Sequence, residues 1–104
     1  MRVIITDFAK NQIRETAKYI HKEFGSASKD KLMKNVRLTR KLIGINPYLG
    51  KKEPLLESIP GNHRSIVVNS LNKMVYHIVN DQIEVLAFWD VRREPNSLKK
   101  QVSL

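Results

Sequence analysis

Apolar residues follow two different periods along this chain. In the first half they recur every three or four positions, the spacing of one helix face; in the second half they crowd into short β-branched runs. Val3-Ile4-Ile5 reads as a strand. Asp7 is placed to cap a helix after it, because its carboxylate can accept free N–H groups of the first turn. In that helix Ile13, Ala17, Ile20 and Phe24 share one face, while Arg14, Lys18 and Lys22 stay wet. Gly25 is a natural stop. Ser26 or Ser28 starts a second helix with Leu32, Val36, Thr39 and Ile43 on one side and Lys34, Arg37 and Lys41 on the other. Gly44 and Asn46-Pro47 end it. So short a connection implies an antiparallel helix hairpin.

Residues 46–62 hold Pro47, Gly50, Pro54, Pro60 and Gly61 and read as loop, with Leu55–Ile59 a short edge strand or a packed turn. Three strands follow, Ser65–Val68, Met74–Val79 and Ile83–Trp89, separated by the turn-like Asn69–Asn72 and Asn80–Gln82. Short turns join antiparallel neighbours, so these form a meander. Continuous apolarity in the last two strands implies a central position or burial on both faces. The expected fold is α+β: an antiparallel sheet of the N-terminal strand plus the three-stranded meander, under a packed helix hairpin, in the order β-α-α-β-β-β. Ile13, Ile20, Phe24, Val36 and Ile43 should be buried against Ile78 and Val85. Residues 96–104 read as a polar, basic tail that orders against a partner.

Composition narrows the class. One domain is the expectation for 104 residues, and a net charge of +9 favours a polyanionic partner. Most of the excess lies in residues 1–50, the helical half. With no cysteine, disulfides and thiolate metal sites are excluded. No apolar run is long enough to span a bilayer and the N-terminal one is too short for a secretory signal, so a cytoplasmic protein without membrane contact is expected.

Candidate chemistry is cationic. Phosphate-binding glycine loops, nucleophile elbows and the zinc motif His-Glu-x-x-His are absent. His21, His63 and His77 are isolated from one another, which predicts no metal site; His77, inside a strand, could still serve as acid or base. Lys34, Arg37 and Lys41 form a helix face suited to phosphate contact or simply to solvent, and Lys51-Lys52 sit in the loop. Arg64 and Lys73 open strands, and Arg92-Arg93 close the last one. If curvature brings Arg64, Lys73 and Arg92 together, they would stabilise the charge that develops as a phosphodiester is attacked.

These residues resemble a known family. Ile13…Ala17…Tyr19-Ile20…Phe24-Gly25, Leu42-Ile43…Asn46-Pro47…Gly50, Arg64, Lys73-Met74-Val75-Tyr76 and the run Trp89 to Pro95 are similar in order and spacing to the RelE/ParE superfamily of bacterial toxin–antitoxin systems. The likeness covers residues 1–95. It implies a small α+β toxin silenced by a cognate antitoxin encoded beside it. It also implies one of two activities: metal-independent, cofactor-free cleavage of mRNA on the ribosome, or non-enzymatic poisoning of DNA gyrase. Lys73 would take the basic position of the family's Arg-Leu-Val-Tyr run, keeping the charge and losing the guanidinium fork. Arg64 matches a basic position in the preceding strand, and Arg92, or Arg93 one residue out of register, the arginine after the last strand. The partly kept cations make ribosome-dependent mRNA cleavage the expected activity, with gyrase poisoning the alternative. Two departures weigh against the nuclease: Ile66 stands where nucleases often carry a second lysine, and Glu94–Leu98 offers no tyrosine or histidine, the absence that favours the gyrase alternative. His63 and His77 are left as candidate acid–base groups. A basic binding module without toxicity is the remaining reading.

Overall fold

The computed structural model describes residues 1–93 and 95–103, so Glu94, in the family-like run, and Leu104, in the expected tail, lie outside the described residues. The elements are β1 (Arg2–Ile5), α1 (Asp7–Phe24), α2 (Ser26–Ile45), β2 (Lys51–Lys52), β3 (Arg64–Val67), β4 (Asn72–Val79), β5 (Gln82–Asp90) and α3 (Pro95–Ser103), with a 3-10 turn at Pro54–Leu56. The expected order holds, with a two-residue strand added in the loop and a helix added at the end.

Thr6, not Asp7, caps α1: its hydroxyl accepts from the Ala9 N–H at 3.2 Å, and Asp7 is the first helical residue. Gly25, at φ +90°, separates the helices by a single residue, which folds them into the hairpin. Gly44 does not stop α2, which runs on to Ile45. It lies where the helix crosses β1, and a Cβ there would stand 3.2 Å from the Met1 carbonyl oxygen.

The sheet order is β1-β5-β4-β3-β2, and β1 pairs with β5 in parallel. The sheet is therefore mixed rather than wholly antiparallel. Tight turns force β3, β4 and β5 to alternate in direction, and Asn80 and Asp81, both at positive φ, supply the β4–β5 turn. No such turn governs β1, whose chain travels through the whole hairpin before the sheet resumes. With β1 on its far side, β5 is an interior strand beside the central β4, in keeping with the continuous apolarity of both.

Both faces of the sheet are covered. On one, Ala9, Ile13, Ala17, Leu32, Val36 and Ile43 of the hairpin pack with Met74, Tyr76, Ile83, Val85 and Phe88. Ile20 and Ile78 are partly buried there. Phe24, expected in this core, is 66% exposed; it closes α1 beyond the packed stretch, where its ring lies 6.5 Å from the Tyr19 ring in a T-shaped contact. On the other face Leu56, Val75, Ala87, Trp89 and Leu98 form a second core, flanked by Leu55, Ile59 and Val102. A bulge serves both: Val75 pairs with Ala87 but Tyr76 pairs with Val85, leaving Leu86 as the extra residue. The bulge turns Phe88 to the hairpin and Ala87 and Trp89 to the second core.

The stretch read as a tail is thus helix through Ser103, seated on its own chain. Leu98 is fully buried and Val102, one turn on, is partly buried, so two apolar residues at helical spacing suffice once they reach Trp89 and Leu56. Leu98→Ala should lower the unfolding free energy by about 2–4 kcal/mol, as for other buried leucines. Chemical denaturation measures it, and a loss below about 0.5 kcal/mol, the range of surface substitutions, would mean that α3 does not belong to the folded unit.

Candidate functional site

The polar chemistry gathers on the face away from the hairpin, around a carboxylate. Glu53 precedes Pro54 and caps the 3-10 turn, its side chain accepting from the Leu55 N–H at 3.3 Å. Its own N–H donates to the His63 carbonyl at 2.9 Å, extending the β2–β3 pairing. The cap turns the side chain inward until only 1% of it is exposed. There the Ser65 hydroxyl and the Lys73 ammonium, the latter at 2.6 Å, donate to it. Lys73 and Ser65 reach it because they share the face of Val75, the residue two beyond Lys73 and directly opposite Ser65. Burial pushes the Glu53 pKa up, but the bonds from Lys73 and Ser65, the Lys73 charge and the Leu55 N–H outweigh it and hold the group below its ordinary value.

Beside this pair lie the histidines. His77 follows Lys73 and Val75 on the same face, and its Nε2 meets Glu84 Oε1 of β5 at 2.8 Å. The His63 ring stacks on it, centroids 5.1 Å apart and planes 15° from parallel. His63 is buried and its Nδ1 has no hydrogen-bond partner among the described residues. Burial, and secondarily the charge on His77, push its pKa down. A Cβ on Gly61 would stand 3.5 Å from His77 Nδ1, so the glycine leaves room in front of that nitrogen. A carboxylate that fixes an imidazole by one nitrogen and leaves the other open is an arrangement able to move a proton.

The arginines do not join Lys73. Arg64 pairs with Tyr76 and lies on the hairpin face, where its guanidinium donates to the Gly50 carbonyl at 2.8 Å and sits 5.0 Å over the Tyr48 ring. Gly50 is required there: its N–H donates to the Tyr76 hydroxyl at 2.9 Å, and a Cβ would come within 2.8 Å of the Ser65 carbonyl oxygen. Arg92 grips Asp90 with two guanidinium bonds, at 3.0 and 2.7 Å, and lines a groove beside α1. That fork holds Asp90 below its ordinary pKa. Arg93 turns to the other face and lies 4.5 Å over the Trp89 ring. The expected meeting of Arg64, Lys73 and Arg92 is therefore not formed, because strand side chains alternate and Arg64 falls on the opposite face from Lys73. Lys73, His63, His77 and Arg93 share one face. Lys34, Arg37 and Lys41 are exposed on α2, and Lys51 and Lys52 are exposed on the edge strand β2 rather than in a loop. His21 is exposed on α1, and among the described residues no cluster of side chains could hold a metal ion.

Sequence reasoning missed Glu53 and Glu84 because it followed the cations. An acidic residue immediately before Pro-Leu-Leu was a readable cap signal for Glu53; Glu84 is found only through the β4–β5 register, which sets it opposite His77.

No family model matches the sequence, and no curated protein matches it either. Solved structures do match. The chromosomal ParDE toxin–antitoxin system from P. aeruginosa aligns over 88% of this chain and 97% of that one, with a TM-score of 0.73 at 15% identity. A YoeB/ParE toxin from Agrobacterium tumefaciens covers 86% of this chain and 98% of its own, with a TM-score of 0.58 at 14% identity. In the YoeB–YefM complex from Staphylococcus aureus the corresponding figures are 85% and 93%, with a TM-score of 0.54 at 22% identity. The chain has the fold of ParE and YoeB toxins.

Lys73→Met leaves the Glu53 carboxylate buried without its charged partner and should cost about 3–5 kcal/mol of stability at neutral pH. Adding Glu53→Leu should restore most of it, which separates the pair from simple packing. Glu53, with its pKa depressed by folding, contributes stability that is present above its unfolded pKa and lost as pH falls through the folded one. His63 has the same sign near neutrality: its folded pKa is depressed, so stability falls as pH drops below its unfolded pKa. Urea titrations across acidic pH should record both losses, and His63→Phe should flatten the one nearer neutrality.

Proposed function

We propose that this chain is the toxin half of a toxin–antitoxin pair and that it disables its target by binding rather than by cutting RNA. The observation that carries the reading is the state of Lys73. Its ammonium is committed to a buried carboxylate, so the pair presents little net charge to a phosphate, and neither Arg64 nor Arg92 stands beside it. What supports the toxin class is the shared fold over most of the chain, together with the family-like order of residues from Ile13 to Pro95. DNA gyrase is the target in this reading, as in the ParE branch of the resemblance. A cognate antitoxin is the expected partner. The groove of about 640 Å³ between the hairpin and the β3–β4 turn offers it an apolar wall of Tyr19, Ile20, Phe24 and Leu71, with the cations Lys31 and Arg92 and the carboxylates Glu15 and Asp90 around it.

A second reading has its own observation. The His77–Glu84 dyad, with Arg93 on the same face, could move the protons that ribosome-dependent mRNA cleavage needs, although no tyrosine or histidine follows the last strand. Induction without antitoxin discriminates. Growth should stop, cleaved gyrase–DNA complexes should accumulate, mRNA should remain intact at A-site codons, and His77→Gln should stay toxic. Cuts at A-site codons that fall by about 10² to 10⁴-fold in His77→Gln, the range of one acid–base group, would establish the nuclease instead. Harmless expression would remove both.

A further inference from the structure

The densest positive charge lies far from the polar face just described. Along the seam of the two helices a hollow of about 590 Å³ is bordered by Arg14, Lys18, Lys29 and Arg37, with Asp30 the acidic side chain in its wall. Where α2 crosses β1, a second hollow of about 490 Å³ is bordered by Arg2, Arg37, Arg40 and Lys41, with no acidic side chain. Arg37 borders both, so the two form one tract. Its shape is fixed by packing: the Arg40 guanidinium donates to the Val3 carbonyl at 3.0 Å, and Gly44 lets α2 come down on the Met1 and Val3 backbone.

Among the described residues the ion pairs are Lys73–Glu53, His77–Glu84 and Arg92–Asp90, and the tract contributes to none of them. Seven cations are thus gathered from β1, α1 and α2 with one carboxylate among them. Like charges held this close repel one another, and a polyanion relieves that repulsion. Neither hollow is bordered by Phe, Tyr or Trp. Single-stranded nucleic acids are held largely by stacking on such rings, whereas a duplex offers its phosphates outward and is gripped by charge alone.

We infer that the helix-seam tract from Lys18 through Arg37 to Arg2 is a docking surface for the phosphate backbone of duplex nucleic acid, independent of base sequence. The inference goes beyond the proposed function and does not rest on it, since the tract shares no residue with the Lys73 site or with the Arg92 groove.

The test uses the full chain, free of any partner, with a short DNA duplex and an RNA duplex of the same sequence, followed by fluorescence anisotropy between about 50 and 200 mM salt. Each neutralised phosphate contributes about 0.9 to the slope of log K against log salt on B-form DNA. Arg37→Gln/Lys41→Gln should therefore flatten the slope by about 2 and weaken binding by at least about tenfold at fixed salt. Lys51→Gln/Lys52→Gln removes the same charge from the opposite edge of the sheet and should weaken it less. Binding of both duplexes with steep salt dependence supports a contact to the phosphate backbone, and binding of neither overturns it. Equal losses in the two double variants would reduce the effect to net charge and overturn the proposal, and so would an unchanged slope. Polyglutamate binding as tightly as either duplex would reassign the tract to an acidic protein.

Discussion

A buried carboxylate in a chain with a net charge of +9 is the constraint on which the polar face depends. An isolated ion in a protein interior costs several kcal/mol, so Glu53 is tolerable only with its donors in place. Each donor comes from a different piece of chain: the Leu55 N–H from the 3-10 turn, the Ser65 hydroxyl from β3, the Lys73 ammonium from β4. Satisfying one group thus fixes how the proline-rich loop rejoins the sheet. It also sets Leu56 against Val75 and Trp89, the floor on which α3 is seated.

The same constraint shapes what the site can do. A lysine that neutralises a buried acid cannot also present a full charge to a phosphate, and strand alternation sends Arg64 to the hairpin face, where it braces Gly50 and Tyr48. Arg92 and Arg93, adjacent in sequence, part to opposite faces, one onto Asp90 and the other onto Trp89. Arg64, Lys73 and Arg92, which the sequence allows to converge, are held apart in space, each on its own contact. The surface on which cations do converge lies along the helix seam, where Arg37 joins two hollows. The Lys73–Glu53 pair and the helix-seam cations thus lie on opposite faces of the sheet.

Much of the fold was legible because periodicity reports which face of an element is buried. The hairpin, its break at Gly25 and the three-stranded meander all follow from it. Direction is another matter: the β1–β5 pairing joins the first and last strands, and no local turn announces whether they run together or opposed. Helix ends were readable only to within a residue, so Thr6 displaced Asp7 as the cap, and Phe24 kept the right phase but overshot the sheet. The expected tail was misread because Leu98 and Val102 are too few to register as an amphipathic helix until Trp89 is beneath them. At the site, His63 and His77, isolated from one another in sequence, stack in space, and Lys73 stands at the start of β4. Its partner was missed because a buried ion pair joins residues 53 and 73 across a loop, and no spacing rule connects them.

The account turns on Glu53 being ionised inside the fold and paired with Lys73. Carbon-13 NMR of the side-chain carboxyls, followed through an acid titration of the folded protein, reads that state directly. The Glu53 signal should titrate below the range of the exposed glutamates, or stay ionised until the protein unfolds, and it should move up in Lys73→Met. A Glu53 carboxyl that titrates at or above the exposed glutamates, indifferent to Lys73, would mean that the pair is not formed. The lysine would then be free for a phosphate.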